Sequence, residues 1–323
     1  MLSSIRDTIT PVNVEASSRV PSGIAPAAAR AGSESQLVEL WLHGRSEHTV
    51  RAYRGDVNRF LVRAGKPFDE VTLADLQSFA TSLESLAPSS RCRILSAVKS
   101  LLAFGHRIGY LPFDVGGALR LPAVRNRLAE RILPEADLHR ILTLGPEGAP
   151  GGRNRAILTL LYASGMRVSE LCGLSWRDLQ PNGDGGQVTV FGKGGTTRSI
   201  QVPPSVWKLL TGLRNAEAGA QRGAPSGAPS GPDHPVFCSR KKRGGGRLRP
   251  LAVLRVVRQA ARRAGVDLPV SPHWFRHAHA SHALDRGAPI HLVQATLGHA
   301  SLTTTGRYLH ARPKDSSSRF LSL

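Results

Sequence analysis

Apolar residues recur at helical spacing through the first third of the chain. Leu37, Leu40 and Trp41 fall on one helix face, and Thr49, Tyr53, Val57, Phe60 and Leu61 form a second stripe behind a polar start at Ser46. Thr72 precedes LADLQSFATSL as an N-cap, and Ile94, Leu95, Val98, Leu101, Leu102 and Ile108 mark a fourth helix. Together they predict a small helical bundle over residues 35–115. Residues 1–34, rich in Ser, Ala, Pro and Gly with no apolar period, predict a disordered arm. Residues 116–130 carry Gly-Gly, a Pro and few periodic apolar positions, and predict an interdomain linker.

A second domain is expected over 131–313. Pro134 and Glu135 suit the first turn of a helix. Ile157, Leu158, Leu160, Leu161 and Tyr162 give an apolar helix broken at Ser164-Gly165, which places Met166-Arg167 at the start of the next one. Val188 and Val190, then Ile200 and Val202, alternate about a GKGG turn, predicting a β-hairpin with Lys193 near its tip. Residues 211–235 contain GAPSGAPSGP and predict a flexible surface loop. LAVLRVVRQAARRAGV predicts an amphipathic helix with Leu251, Leu254, Val257 and Ala261 inside and Arg255, Arg258, Arg262 and Arg263 outside. A tail, 314–323, closes the chain.

Length and composition agree with two domains, since 323 residues exceed one ordinary core and 41% apolar content can fill two. Neither an apolar run of ~20 residues nor the apolar core of a signal peptide is visible, so a cytoplasmic protein away from membranes is expected. Cys92, Cys172 and Cys238 lie far apart, which suggests neither a disulfide framework nor a thiolate metal site.

Charge changes the picture more. A net +20 and pI near 11.3 suit a polyanionic partner, nucleic acid first. An arginine-favouring composition would give the same sign, because only seven of the 43 basic residues are Lys. Such a bias would spread evenly, yet Val236 to Arg312 holds 14 basic residues against two acidic ones. Candidate phosphate contacts are Arg91, Arg93 and Lys99 in the bundle, and Lys241, Lys242 and Arg243 in RKKRGGGRLRP; a solvated charged face or loop is the alternative for both groups.

Candidate chemistry concentrates between His273 and Tyr308. In HWFR, His273 and Arg276 share a helix face, as do Arg167 and Glu170 further upstream. Free N–H groups at a helix N-terminus already favour an anion, so Arg167 can grip a phosphate there, or simply pair with Glu170 on the surface. Lys193 on its glycine turn can reach into a site, or be a solvated hairpin residue. His277, His279 and His282 beside His273 raise the thought of a metal, but with no HExxH and no carboxylate between residues 273 and 284 none is expected.

Four segments in order and register, ASGMRVSELCGLSW, GKGGTTR, HWFRHAHASH and LGHASLTTTGRYLH, resemble the tyrosine site-specific recombinases, the family of phage integrases and Xer-type enzymes. The resemblance covers about Ser35 to Tyr308, with TVRAYRGDVNRFL its best segment in the bundle. It implies a mainly α fold with a small β-sheet: a helical, SAM-like core-binding domain followed by an α+β catalytic domain of the DNA breaking-rejoining type. It further implies a recombinase acting through a 3'-phosphotyrosyl intermediate with no cofactor, metal or ATP, and no Walker-type GxxxxGKS/T is present.

On that resemblance Tyr308 is the nucleophile, and Arg167 and Arg276 hold the non-bridging oxygens. Lys193 protonates the leaving 5' oxygen, His273 is a general base or proton shuttle, His299 hydrogen-bonds the phosphate, and Glu170 supports the site. The residue types suit the reaction. Negative charge gathers on the phosphoryl oxygens in the transition state, where fixed guanidiniums act most strongly, and a phenol of pKa ~10 needs a proton acceptor at neutral pH. Thr196 and Thr197 depart from the family, which often has a further basic residue there.

Double-stranded DNA is the implied partner, met as a homo-tetramer on synapsed sites by a chain that is a monomer or dimer when free. Accessory DNA-bending or directionality proteins and a nucleoid location are also implied, and Phe320, Leu321 and Leu323 of the tail would dock on a neighbouring subunit. Two other outcomes use the same residues differently. One is topoisomerase-like nicking and resealing by the same Tyr; the other, a non-catalytic DNA-binding protein, requires a missing catalytic residue, and none is missing.

Overall fold

A computed structural model describes residues 32–144, 151–192, 195–221, 231–239 and 246–309. Its Cα framework separates into two units that divide between Arg125 and Asn126. The expected arm over 1–34 lies outside the described residues except for its last three, and the tail 314–323 lies wholly outside them.

In the first unit, α1 (Glu34–Leu42), α2 (Glu47–Ala64), α3 (Leu73–Ser82) and α4 (Pro88–Arg107) surround one core. The first three each start on a hydroxyl that satisfies a free backbone N–H: Ser33 accepts from Gln36, Ser46 from Thr49, and Thr72 exchanges hydrogen bonds with Asp75. Phe60 and Phe79 meet edge to face amid Leu37, Val57, Leu76, Leu95 and Leu101, all buried. Leu40 faces outward, because Val38 and Leu42 complete the buried side of α1 instead.

The packed unit runs past the expected boundary at 115. Val115, Gly116 and Leu119 are buried, and the Lys99 ammonium of α4 caps the carbonyls of Gly117 and Leu119. A Cβ on Gly116 would stand 3.2 Å from the Lys99 Cα. The Gly-Gly pair therefore marks close packing rather than a hinge, and the mostly exposed connection without regular structure narrows to residues 120–127.

The second unit is an antiparallel sheet of β1 (Leu179–Asn182), β2 (Gly185–Phe191) and β3 (Thr197–Val202) set among helices. These are α5 (Glu135–Leu144), α6 (Gly151–Ser164), α7 (Val168–Gly173), α8 (Pro204–Gln221), α9 (Pro250–Arg263), α10 (Pro272–Asp285), α11 (Ile290–Leu297) and α12 (Leu302–Leu309). Val188 pairs with Ile200 across the hairpin. The alternation sends Val188, Val190, Ile200 and Val202 into one core with Ile157, Leu158, Leu160 and Leu161 of α6.

Two expectations are corrected here. Residues 211–221 are not loop but the second half of α8, whose Leu, Ala, Glu and Gln favour a helix; the Gly-Pro repeat starts only after it, and residues 222–230 lie outside the described ones. Val236 and Phe237 then return as buried anchors, with bridges from Pro235 to Ser175 and from Cys238 to Arg247. In α9 the buried face is Val253, Val257, Ala260 and Ala261, while Leu251 in the first turn is exposed. Its four outward arginines are exposed as expected. Among the described residues, no helix is long and apolar enough to cross a membrane.

Candidate active site

The site is organised about the break between α6 and α7. Gly165 adopts a left-handed φ of 58°, and a Cβ there would come within 2.7 Å of the Leu297 side chain and 2.8 Å of the His279 ring. Only glycine combines that backbone with that close approach. The turn exposes the Gly165 carbonyl to Arg276 of α10, whose Nη1 donates to it at 2.7 Å while Nη2 donates to the Leu297 carbonyl at 2.8 Å. Arg276 is buried, and burial, then the charge of Arg167, pulls its pKa down to about 10, so it stays charged at neutral pH. Two carbonyls thus fix one guanidinium.

Arg167 opens α7. Its backbone N–H donates to Glu170 Oε2 at 2.7 Å and its Nη1 donates to Oε1 at 2.9 Å, so the residue caps its own helix through Glu170. Glu170 is buried and receives a second guanidinium: Arg198 of β3 donates to both carboxylate oxygens, at 3.0 and 2.8 Å. Burial alone would raise the Glu170 pKa, but the hydrogen bonds and charges of Arg198 and Arg167 hold it below the ordinary carboxylate range. Arg198 also donates through Nε to the Thr296 carbonyl at 2.8 Å, tying β3, α7 and the end of α11 together. The surface-pair alternative for Arg167 is half correct, since it does pair with Glu170, on the edge of a buried cluster.

Tyr308 of α12 is buried with Ala280, Val293 and Leu297. Burial raises its pKa above the ordinary phenol value, against the opposing pull of Arg276 and Arg307, so it is protonated at neutral pH. Its hydroxyl lies 2.8 Å from His277 Nδ1. His299 has its ring nearly parallel to that of Tyr308, with centroids 6.3 Å apart, and its Nδ1 is 2.9 Å from the hydroxyl of buried Thr305. His273 sits one turn before His277, ring centroids 5.2 Å apart.

The other two histidines of α10 are structural. His279 Nδ1 lies 2.8 Å from the Tyr162 carbonyl and so donates to it. His282 Nε2 faces the Leu133 carbonyl at 3.0 Å, which leaves Nδ1 to accept from the Tyr162 hydroxyl at 3.1 Å. Both tie α10 to neighbouring backbone, and His282 has each ring nitrogen engaged.

The fold therefore gathers Arg167, Glu170, His273, Arg276, His299 and Tyr308. Lys193 lies outside the described residues; on either side of it in the chain, the Gly192 N–H donates to the Thr196 carbonyl at 2.7 Å. Lys241, Lys242 and Arg243 also lie outside them. In the first unit Arg93 pairs with both oxygens of buried Asp56, Lys99 caps carbonyls, and Arg91 is half-buried. Three participants were not among the expected site residues: Arg198, Thr305 and His277 as the partner of Tyr308. An Arg two residues beyond GKGGT and a Thr between His299 and Tyr308 are visible in the sequence, but nothing local marks either as a partner.

His277, His279, His282 and His299 all have depressed pKa values, burial being the largest cause in each; His277 and His299 fall to about 4. An imidazole titrating near ~6.5 when unfolded binds protons more readily in that state, so native stability is highest above that pH and declines as pH falls towards 4. The melting temperature is expected to drop as pH is lowered from about 6.5 to 4, measured by calorimetry at fixed ionic strength. A flat profile over that window would contradict neutral burial.

Residues 131–315 match the phage integrase family, and residues 37–108 match the phage integrase N-terminal SAM-like domain. The chain belongs to the phage integrase family, and its fold is a SAM-like helical domain followed by a catalytic domain with a small sheet. It is a tyrosine recombinase, a site-specific enzyme that breaks and rejoins DNA. It is 34% identical over 272 residues to the tyrosine recombinase XerC of Xanthomonas campestris pv. campestris, covering 82% of this chain and 79% of that one. To the XerC of Xylella fastidiosa strain M23 it is 35% identical over 292 residues, covering 85% and 92%. Among solved structures, XerH bound to its difH substrate shares the fold with a TM-score of 0.66 at 20% identity, covering 90% of this chain and 84% of that chain. The Tn1549 transposon integrase does so at 0.68 and 17%, covering 89% and 98%.

Proposed function

We propose that Tyr308 attacks a DNA phosphodiester to give a 3'-phosphotyrosyl link and a free 5'-hydroxyl, and that reversal of this step on a second strand completes recombination. The observation that carries this reading is a buried tyrosine whose hydroxyl meets His277, in one site with Arg276, a guanidinium held by two carbonyls whose charge favours ionisation of the phenol. Arg167 and Arg276 neutralise the charge that grows on the non-bridging oxygens; being fixed before the reaction, they stabilise the transition state without reorganising. Glu170 and Arg198 hold Arg167 in place. Thr305 can donate to His299 Nδ1, which leaves the Nε2–H to donate to the phosphate. Lys193 protonates the departing 5' oxygen and His273 helps hold the phosphate. The link conserves the energy of the broken bond, so rejoining needs no nucleotide.

In this reading the partner is duplex DNA, gripped in part by Lys241, Lys242 and Arg243, with Arg91, Arg93 and Lys99 as further phosphate contacts from the first domain. A homo-tetramer works on two synapsed sites, joined by accessory DNA-bending or directionality proteins in the nucleoid of the cytoplasm. XerH and lambda integrase, the latter a tetramer on a Holliday junction, have been solved on DNA. The test is to incubate the protein with nicked duplexes from the DNA flanking its own gene, trap the adduct and map it by mass spectrometry. The expected product is a 3'-phosphate on the peptide carrying Tyr308. A link to another residue, or to a 5'-phosphate, would refute the assignment.

A further inference from the structure

We propose that His277, rather than His273, takes the proton from Tyr308 as the phenol attacks phosphorus. The inference rests on Tyr308 being the nucleophile. His277 Nδ1 stands 2.8 Å from the Tyr308 hydroxyl, with ring centroids 5.7 Å apart. A phenol has one hydrogen to give, and an unprotonated Nδ1 is a ready acceptor, so this contact is already the starting geometry for proton transfer. The other basic groups nearby are less well placed. His299 directs Nδ1 to Thr305 and both terminal nitrogens of Arg276 donate to carbonyls, while His273 lies edge-on to the His277 ring, one turn of α10 further from the end that meets Tyr308.

The surroundings of His277 say when it can act. Facing it are His273 and Arg276 on its own helix, Arg131 from the short turn Ala129–Arg131, His299 from the connection between α11 and α12, and Tyr308 from α12. None is a carboxylate. Burial, first, and then these neighbours favour the neutral ring, its pKa pushed down to about 4. In the free enzyme His277 is therefore an acceptor but a weak base, and Tyr308 keeps its proton. A phosphodiester bound among the arginines brings the opposite charge, and the dianionic transition state brings more, so the base strengthens as the substrate arrives.

The protons balance. The Oη–P bond forms, the P–O5' bond breaks, the phenol proton passes to His277 Nδ1, and the leaving 5' oxygen takes a proton from Lys193. In rejoining, an incoming 5'-hydroxyl attacks phosphorus and returns its proton to Lys193. Tyr308 departs with the proton held by His277.

The test is single-turnover cleavage of a nicked site by the full-length protein, wild type against His277→Asn. Asn can place an oxygen near the Nδ1 position and keep the hydrogen bond, but it cannot take the proton. A base is worth about 10²–10⁴-fold. We expect a slowdown in that range, and a rate that climbs with pH towards the ~10 of a free phenol while the wild type stays flat through neutrality. A 5'-bridging phosphorothiolate, whose thiolate leaves without a proton, should rescue Lys193→Ala and not His277→Asn. Wild-type speed in His277→Asn, or a slowdown with the wild-type pH profile and full phosphorothiolate rescue, would overturn the proposal. To set a folding defect apart, imidazole is added to His277→Ala bound to DNA; restored cleavage supports the proposal, and no restoration in a complex of wild-type affinity counts against it. An adduct on a residue other than Tyr308 would sink the nucleophile itself, whereas a Tyr308 adduct formed at full speed in His277→Asn sinks only this inference.

Discussion

Replacing Tyr308 by Phe is expected to abolish the covalent protein–DNA adduct completely while leaving DNA affinity close to that of the wild type. The ring keeps its packing against Ala280, Val293 and Leu297, so the substitution removes one oxygen and little volume. His277 Nδ1 loses its partner, and an acceptor left unsatisfied in a half-buried place costs about 1–3 kcal/mol, which lowers the melting temperature by about 2–12 °C without unfolding the domain at assay temperature. The chemistry has no such margin, because a phenyl ring cannot form the phosphoester at any pH. Denaturing gels of nicked-site reactions report the adduct, fluorescence anisotropy reports binding, and calorimetry reports stability. A persistent adduct would reveal a different nucleophile, and a loss of binding alongside the adduct would mean that Tyr308 holds the fold of the DNA-binding face.

The sequence is most legible where one local interaction decides the structure. Ser46 and Thr72 cap helices because a hydroxyl before an apolar period has a free N–H within reach, and the hairpin follows from a period of two on either side of a glycine turn. It is least legible where partners meet from distant segments. Arg198 looks like a hairpin residue until the fold brings its guanidinium within 2.8 Å of the Glu170 carboxylate on α7. His277 is one histidine among several on α10, and its neighbours at one-turn spacing give no sign that it, and not His273, meets Tyr308. Composition also misleads in places. Gly-Gly at 116–117 suggests a linker because glycine frees the backbone, yet the same lack of a side chain lets that segment pack against α4. The repeat after Gln221 hides the good helix formers that precede it.

Arg276→Lys tests whether a fixed fork of donors, and not charge alone, defines the site. Arg276 is a strut as well as the proposed phosphate contact: its two terminal nitrogens close the turn at Gly165 and the end of α11 at Leu297. A Lys keeps the charge but concentrates its donors on one nitrogen, which cannot reach both carbonyls and a phosphate at once. Each buried carbonyl left without a donor costs about 1–3 kcal/mol, so the variant is expected to lose a few kcal/mol in urea denaturation. Loss of a pre-positioned donor to the transition state should also slow single-turnover cleavage by about 10²–10³-fold. Arg167→Lys provides the contrast. The Arg167 side chain is partly exposed and shares Glu170 with Arg198, which keeps the carboxylate paired when Arg167 changes. It should slow cleavage with little loss of stability. If Arg276→Lys were as stable as the wild type, the two carbonyls would have to be satisfied by other donors, and the strut would not be what holds the Gly165 turn against α10.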